Sequence, residues 1–431
     1  MKIKNLRWMI VSLVALATII NYIDRTALTV MWPSIAEDMG FDGHDYANIM
    51  SVFLIAYAVG QASFGKIFDV VGTRIGFVLS IVIWSISIAL HAVANSVMTF
   101  SIFRVLLGFG EAGNWPGATK ANAEWFPVKE RALAQGIFGA GASIGGIVSP
   151  PLIAFLYIYF GWKATFLIVA SFGLLWLIPW LILYKAGPDA HPWITDEERE
   201  YILTGQKVEL EEDEEAYAPT YTELLAHRQS WGVVSARFFI EPIWWLFVAY
   251  LPLYLNDTFG FNIKEIGASA WIPYVGAATG AVAGGWVVGK LIGNGWSINK
   301  SRRTIITIGA LIMLPALVAT TVASTPAGAI ALITIILFGF QFTINNIQTL
   351  PSDFYSGKSV ASLAGLSGAV GVFSVIIAIQ LVPWITNDGE NYLPFFVLGA
   401  SLVPLMLGSV WFICGKIKPV TPKHIEQKAT K

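Results

Sequence analysis

Long apolar stretches alternate with short polar turns along almost the whole chain, and most are close to the ~20 residues that an α-helix needs to cross a bilayer. Counting them predicts twelve helices, at 8–31, 47–68, 75–94, 98–121, 133–157, 163–185, 231–255, 265–292, 303–324, 327–350, 359–384 and 391–415, numbered helix 1 to helix 12 in that order. One long polar segment, 186–230, separates two sets of six. The expected organisation is an amino-terminal half over 1–185, a linker over 186–230, and a carboxy-terminal half with its tail over 231–431. Within the linker, Thr195 followed by Glu198 reads as a capping box opening a short helix to about Leu203, and the acidic run Glu211 to Glu215 reads as solvated chain. A short repeat supports the two-half division: Gly65-Lys66-Ile67-Phe68 follows helix 2 and Gly289-Lys290-Leu291-Ile292 ends helix 8, each leading into a basic turn.

Composition agrees with a polytopic, all-α membrane protein. Hydrophobic residues make up 55% of the 431 and charged residues only 13%, too apolar for one soluble core. A net charge of -1 argues against nucleic acid as a partner, and the single cysteine, Cys414, excludes an intrachain disulfide and makes a cysteine-based metal or redox site implausible. The basic residues set the orientation. Of the 27 lysines and arginines, Lys163 and Lys264 fall outside and Arg25, Arg104 and Arg237 within helices; the rest sit in segments that are cytoplasmic if both termini are. A cleaved signal peptide is disfavoured, because the first apolar run continues through Asn21 to Arg25 without a small-residue cleavage site.

Four charges interrupt this pattern where it matters. Asp24 and Arg25 lie in helix 1, and Arg104 and Glu111 in helix 4. Each ionised side chain at membrane depth costs at least ~2.5 kcal/mol on insertion scales, so such groups generally line a polar pathway. At ~1.5 Å per residue, Asp24 and Arg25 lie about 25 Å along helix 1, and Arg104, on a helix running the other way, reaches a similar depth. Glu111 follows seven residues later, nearly two turns on and on about the same face. A guanidinium offers a permanently charged fork that matches a carboxylate, which makes Arg25 the candidate for gripping an acidic substrate. Asp24 and Glu111 are the candidates for carrying a proton, with Arg104 as the switchable partner that couples protonation to substrate. The plainer reading is a static network that locks helices 1 and 4 together.

Other polar groups are candidates of a weaker kind. Gln341, Asn345, Asn346 and Gln348 make helix 10 unusually polar, and 341, 345 and 348 share a face; Gln341 and Asn345 are taken as substrate contacts, against ordinary interhelical hydrogen bonding. Arg237 and Glu241 stand four apart on helix 7 and most simply satisfy one another. Only His91 of the five histidines falls in a predicted helix, so no metal site, histidine relay or intramembrane enzyme is expected, and no cofactor.

The segment Gly65-Lys66-Ile67-Phe68-Asp69-Val70-Val71-Gly72-Thr73-Arg74 resembles the loop between helices 2 and 3 of the major facilitator superfamily, with Val70 where a basic residue is usual. That resemblance implies two pseudo-symmetric six-helix halves and a gating role for Gly65, Lys66, Asp69, Gly72 and Arg74. Asn21-Tyr22-Ile23-Asp24-Arg25, Arg104 with Glu111, and Glu124-Trp125-Phe126-Pro127 resemble the anion:cation symporter family of sugar-acid and organic-anion carriers. Thr195-Asp196-Glu197-Glu198-Arg199, Glu241-Pro242-Ile243-Trp244 and Gly260-Phe261-Asn262-Ile263-Lys264-Glu265-Ile266 are similar to bacterial hexuronate transporters. The resemblance implies substrate contact by Tyr57, proton and substrate work at Asp24, Arg25 and Glu111, and residence in a bacterial inner membrane with both termini cytoplasmic. The expected function is proton-coupled import of hexuronates by a monomer whose partners are a small carboxylate, protons and lipid. Alternatives are symport of another organic anion such as an aldonate or aldarate, or drug/proton antiport. Against antiport stands Ala142, where the helix 5 signature of such carriers, within Gly141-Ala142-Ser143-Ile144-Gly145-Gly146, places proline.

Overall fold

In a computed structural model the chain is described apart from residues 1, 42, 186, 207–218, 262–264, 266–268, 356–358, 388–390 and 421–431. The acidic run Glu211–Glu215, the motif residues Asn262 to Lys264 and the basic tail from Lys423 lie outside the described residues. Among the described residues eleven helices are long and apolar enough to cross a membrane.

Helix 1 runs from Leu6 to Met39, past its expected end at 31 and through Pro33, and stops at Gly40, which turns into the left-handed region (φ 69°). Helix 2 (Gly43–Val71) ends at Gly72, whose φ of 81° is the conformation that glycine alone adopts without strain, and helix 3 (Thr73–Leu90) starts at once. Helix 4 is the exception among the twelve expected. Its hydrogen bonding is irregular between Val97–Glu111 and Asn114–Trp125, although Ala112 (φ -59°, ψ -24°) and Gly113 (φ -68°, ψ -19°) keep right-handed helical angles, and neither piece alone is long enough to be counted as a span. The Gly110 carbonyl, which a regular helix would give to Asn114, instead accepts from Ser80 Oγ at 2.6 Å, and Gly113 makes only an i−3 bond to it. Glu111 therefore sits beside a local irregularity in the hydrogen bonding of helix 4. Helices 5 and 6 form one run, Val128–Leu183, turned at Gly161 (φ 74°). The remaining spans are Arg228–Phe259, Ile272–Gly293, Ile298–Thr320, Pro326–Phe354, Val360–Thr386 and Leu393–Gly408, helices 7 to 12. Large apolar side chains such as Leu175, Ile178 and Ile182 stay exposed, as lipid-facing positions require.

Residue contacts divide the chain into two units. The first comprises Met1–Pro127, Gly141–Gln206 and Val360–Ala369; the second comprises Val128–Ala140, Lys207–Ser359 and Val370–Lys431. The start of helix 5 thus belongs with the second unit and the start of helix 11 with the first.

In the first unit the linker helix Asp196–Gln206 is seated on the end of helix 1. Thr195 Oγ1 accepts from the Glu198 amide at 3.3 Å, as a capping box requires, but the Glu198 carboxylate does not return the bond. It accepts instead from the Leu6 and Arg7 amides at 3.0 and 3.3 Å and from Arg7 Nη1 at 2.7 Å, so one side chain caps helix 1 from 192 residues away.

Candidate functional site

The first unit brings Asp24, Arg25, Tyr57, Arg104 and Glu111 together inside the protein. Arg25 Nε donates to Glu111 Oε2 at 3.0 Å and Arg25 Nη2 to Asn21 Oδ1 at 3.1 Å. The flat faces of the guanidinium are held by aromatic rings: its carbon lies 4.7 Å from the Tyr57 centroid, 5.0 Å from Tyr22 and 5.6 Å from Phe53. Arg25 keeps 7% of its surface exposed whereas Asp24, Arg104 and Glu111 keep none, so Arg25 is the member of the group open to an incoming ligand.

Arg104 is not the partner of Glu111. Its Nη1 donates to the Arg25 main-chain carbonyl at 3.3 Å, and its Nε and Nη2 have no hydrogen-bond partner among the described residues. The same holds for both carboxylate oxygens of Asp24 and for Glu111 Oε1. Asp24 lies close enough to Glu111 and Arg104 for each to act on it electrostatically. Two carboxylates and two guanidiniums are thus buried together, with Arg25 and Glu111 paired and the Asp24 carboxylate without a hydrogen-bond partner among the described residues.

Sequence reasoning named Asn21 and Tyr22 only as part of a motif and missed Phe53 and Asn114. Asn114 Nδ2 donates to Thr18 Oγ1 at 3.0 Å, tying the part of helix 4 after Glu111 to helix 1. Asn21 lies one turn before Arg25, a spacing that would have exposed it.

Gln341 and Asn345 belong to the second unit. Asn345 Nδ2 donates to the Gln341 carbonyl at 2.8 Å, and Asn345 Oδ1 is buried without a partner among the described residues. Gln135, from the start of helix 5, donates to Gln348 Oε1 at 2.9 Å. The polar stretch of helix 10 is therefore only partly satisfied by its own packing.

The loop after helix 2 is built around Asp69. Its Oδ1 accepts from Lys120 Nζ at 3.0 Å and its Oδ2 from the Ser362 amide, at the start of helix 11, at 2.7 Å. A Cβ at Gly65 would stand 2.6 Å from the Ala361 carbonyl, so the close approach of these two helices requires glycine there. Arg74 Nη2 donates to the Leu181 carbonyl at 3.0 Å, and Lys66 is exposed. The second unit holds a counterpart in which Arg302 Nε donates to Asp353 Oδ2 at 2.8 Å, both side chains fully buried. Arg131 Nη1, from helix 5, donates to the Ser352 carbonyl at 2.8 Å beside it.

Buried Arg104 and Glu111 of helix 4 against Asp24 and Arg25 of helix 1, within helices of membrane-spanning length, are the charges at depth that mark a transport pathway. The chain matches the Major Facilitator Superfamily over residues 14–379 and belongs to it. It is 35% identical over 416 residues to the hexuronate transporter of Escherichia coli (strain K12), covering 96% of this chain and 95% of that protein. It is 36% identical over 315 residues to the galacturonate transporter of Dickeya chrysanthemi, covering 73% and 90% of the two. Among solved structures, the proton:xylose symporter XylE superposes with a TM-score of 0.74 over 98% of each chain at 15% identity, which establishes the shared fold.

Proposed function

We propose that this chain is a proton-coupled importer of sugar-acid anions, most specifically hexuronates, working by alternating access in a bacterial inner membrane with both termini cytoplasmic. The observation that carries the reading is the pairing of Arg25, the one partly open charge of the group, with Glu111. A proton on Glu111 discharges that pair and leaves the Arg25 fork available to a substrate carboxylate, so proton and anion are taken up together. Tyr57 and Tyr22, already packed on the guanidinium, would face the sugar ring, and Arg104 would hold whichever carboxylate is ionised. The names of the relatives, one for hexuronates and one for galacturonate, support the substrate class. Coupling follows if the loaded, protonated and the empty, deprotonated carriers change state more readily than mixed forms.

The direct test is uptake of labelled galacturonate into liposomes containing the purified chain, with and without an inward proton gradient, in sodium-free buffer. Accumulation that needs the gradient is the expected result. Equilibration regardless of the gradient would make the protein a facilitator, and uptake of galactonate but not of hexuronates would move the substrate to open-chain acids.

A further inference from the structure

Arg237 and Glu241 stand one turn apart on helix 7, and the contact between them is lopsided. Arg237 donates from Nε, at 2.9 Å, and from Nη2 to the same oxygen, Glu241 Oε1. A pair that serves only to neutralise itself is best made fork to fork, with two parallel bonds to two oxygens. Here Oε2 accepts from no described residue, and the Glu241 side chain keeps 12% of its surface exposed. A carboxylate oxygen retains acceptor sites for two hydrogen bonds, which at membrane depth go unmet unless a ligand or water supplies them.

The position is built to hold that oxygen in place. Glu241 lies about 20 Å along helix 7 from Arg228, near mid-membrane by helical rise. Gly371 of helix 11 faces it, and a Cβ there would come within 2.7 Å of Glu241 Cγ. Pro242 has no amide hydrogen, so the Phe238 carbonyl one turn back lacks its helical donor and adds another acceptor nearby. Three residues after Glu241, Trp244 stacks on Phe340 of helix 10 at 5.6 Å, five residues before Asn345, whose Oδ1 has no partner among the described residues.

From this geometry we infer that Glu241 Oε2 reads hydroxyl groups of the transported acid. The inference rests on the sugar-acid reading above. A bare carboxylate would repel an anionic substrate, but paired with Arg237 it is neutral overall while keeping its acceptor sites. Carboxylate oxygens accept from adjacent hydroxyls, so this subsite would distinguish a hydroxylated acid from a plain one. Glu241 would then set specificity among hydroxylated acids.

The test is equilibrium titration of the full, detergent-solubilised chain with galacturonate and with its 2-, 3- and 4-deoxy analogues, for the wild type, Glu241→Gln and the double variant Arg237→Met/Glu241→Met. The double variant replaces the pair by apolar groups of similar length and guards against a folding failure of the single one. In the wild type, loss of one particular hydroxyl is expected to weaken binding about 10- to 100-fold, the range for a hydrogen bond to a charged group. In both variants that penalty should shrink towards onefold while the plain affinity for the carboxylate persists. If all four ligands shift by the same factor in the variants, the pair is only structural and the inference fails. If the wild type binds other organic anions but no hexuronate, the sugar-acid reading fails and takes this inference with it.

Discussion

Arg25 Nε meets Glu111 Oε2 across 3.0 Å, joining side chains 86 residues apart in sequence, while Arg104, on the same helical segment as Glu111, turns to the Arg25 main-chain carbonyl instead. The permanent charge of Arg25 and the carboxylate of Glu111 therefore sit on each other, and under the proposed function a proton on Glu111 would free Arg25 for substrate. Arg25→Ala should abolish galacturonate binding, and Arg25→Lys should weaken it at least ~10-fold, because an ammonium lacks the planar fork and the stacking on Tyr57 and Tyr22. Isothermal titration of the purified variants measures both; a lysine variant with wild-type affinity would remove Arg25 as the carboxylate clamp.

Glu111→Gln mimics the discharged state. It should keep exchange of labelled for unlabelled substrate across the membrane and lose gradient-driven accumulation. Asp24→Asn tests the second acid, whose two oxygens have no hydrogen-bond donor among the described residues. The same split between exchange and accumulation is expected there, and uphill uptake at wild-type level in both variants would sink the coupling assignment.

Burial separates two ion pairs that look alike in sequence. Arg302 and Asp353 are fully buried and joined at 2.8 Å, whereas Lys2 and Asp196 are largely exposed, with 48% and 80% of their side chains open. Asp353→Ala leaves an unpaired guanidinium inside the protein and should lower stability by ~3–5 kcal/mol. Lys2→Ala should change it by no more than ~1 kcal/mol. Thermal unfolding in detergent compares them, and equal effects would contradict the burial argument.

Glu124 should make stability depend on pH. It lies beyond the predicted end of helix 4, accepts from Thr73 Oγ1 at 2.8 Å and from the Tyr184 hydroxyl, and burial raises its pKa above the ordinary glutamate value of 4.5 more than those bonds lower it. The folded chain thus holds this proton at a pH where the unfolded chain has released it. Its favourable contribution is full below about 4.5 and is lost as pH rises towards the shifted value. Melting temperatures of the wild type should fall relative to those of Glu124→Gln across that rise, and parallel curves would show that the carboxyl is not kept neutral.

Much of the molecule was legible in the chain because lipid imposes simple rules. Twenty-odd apolar residues in a row have to be a helix, and a charge within such a run has to find polar company, so the helices and the Asp24, Arg25, Arg104 and Glu111 set stand out by spacing alone. Local signals failed where a distant residue competes for the same group. Glu198 has the spacing of a capping partner for Thr195, yet the amides of Leu6 and Arg7 are better placed for its carboxylate. Helix 4 reads as regular, yet beside Glu111 its hydrogen bonding lapses where Ser80 of helix 3 donates to the Gly110 carbonyl.

The sequence by itself determined that the chain spans a membrane many times, which charges lie at depth, and, through its motifs, the family to which it belongs. Tertiary structure alone decided that Glu111 pairs with Arg25 and not with Arg104, that Tyr22 and Phe53 join Tyr57 around the guanidinium, and that Glu241 keeps one oxygen unclaimed. The reason is range. Hydrophobicity and helical period act over one or two turns and are written in neighbouring residues, whereas the choice among hydrogen-bond partners is a competition between groups that only folding brings within 3 Å.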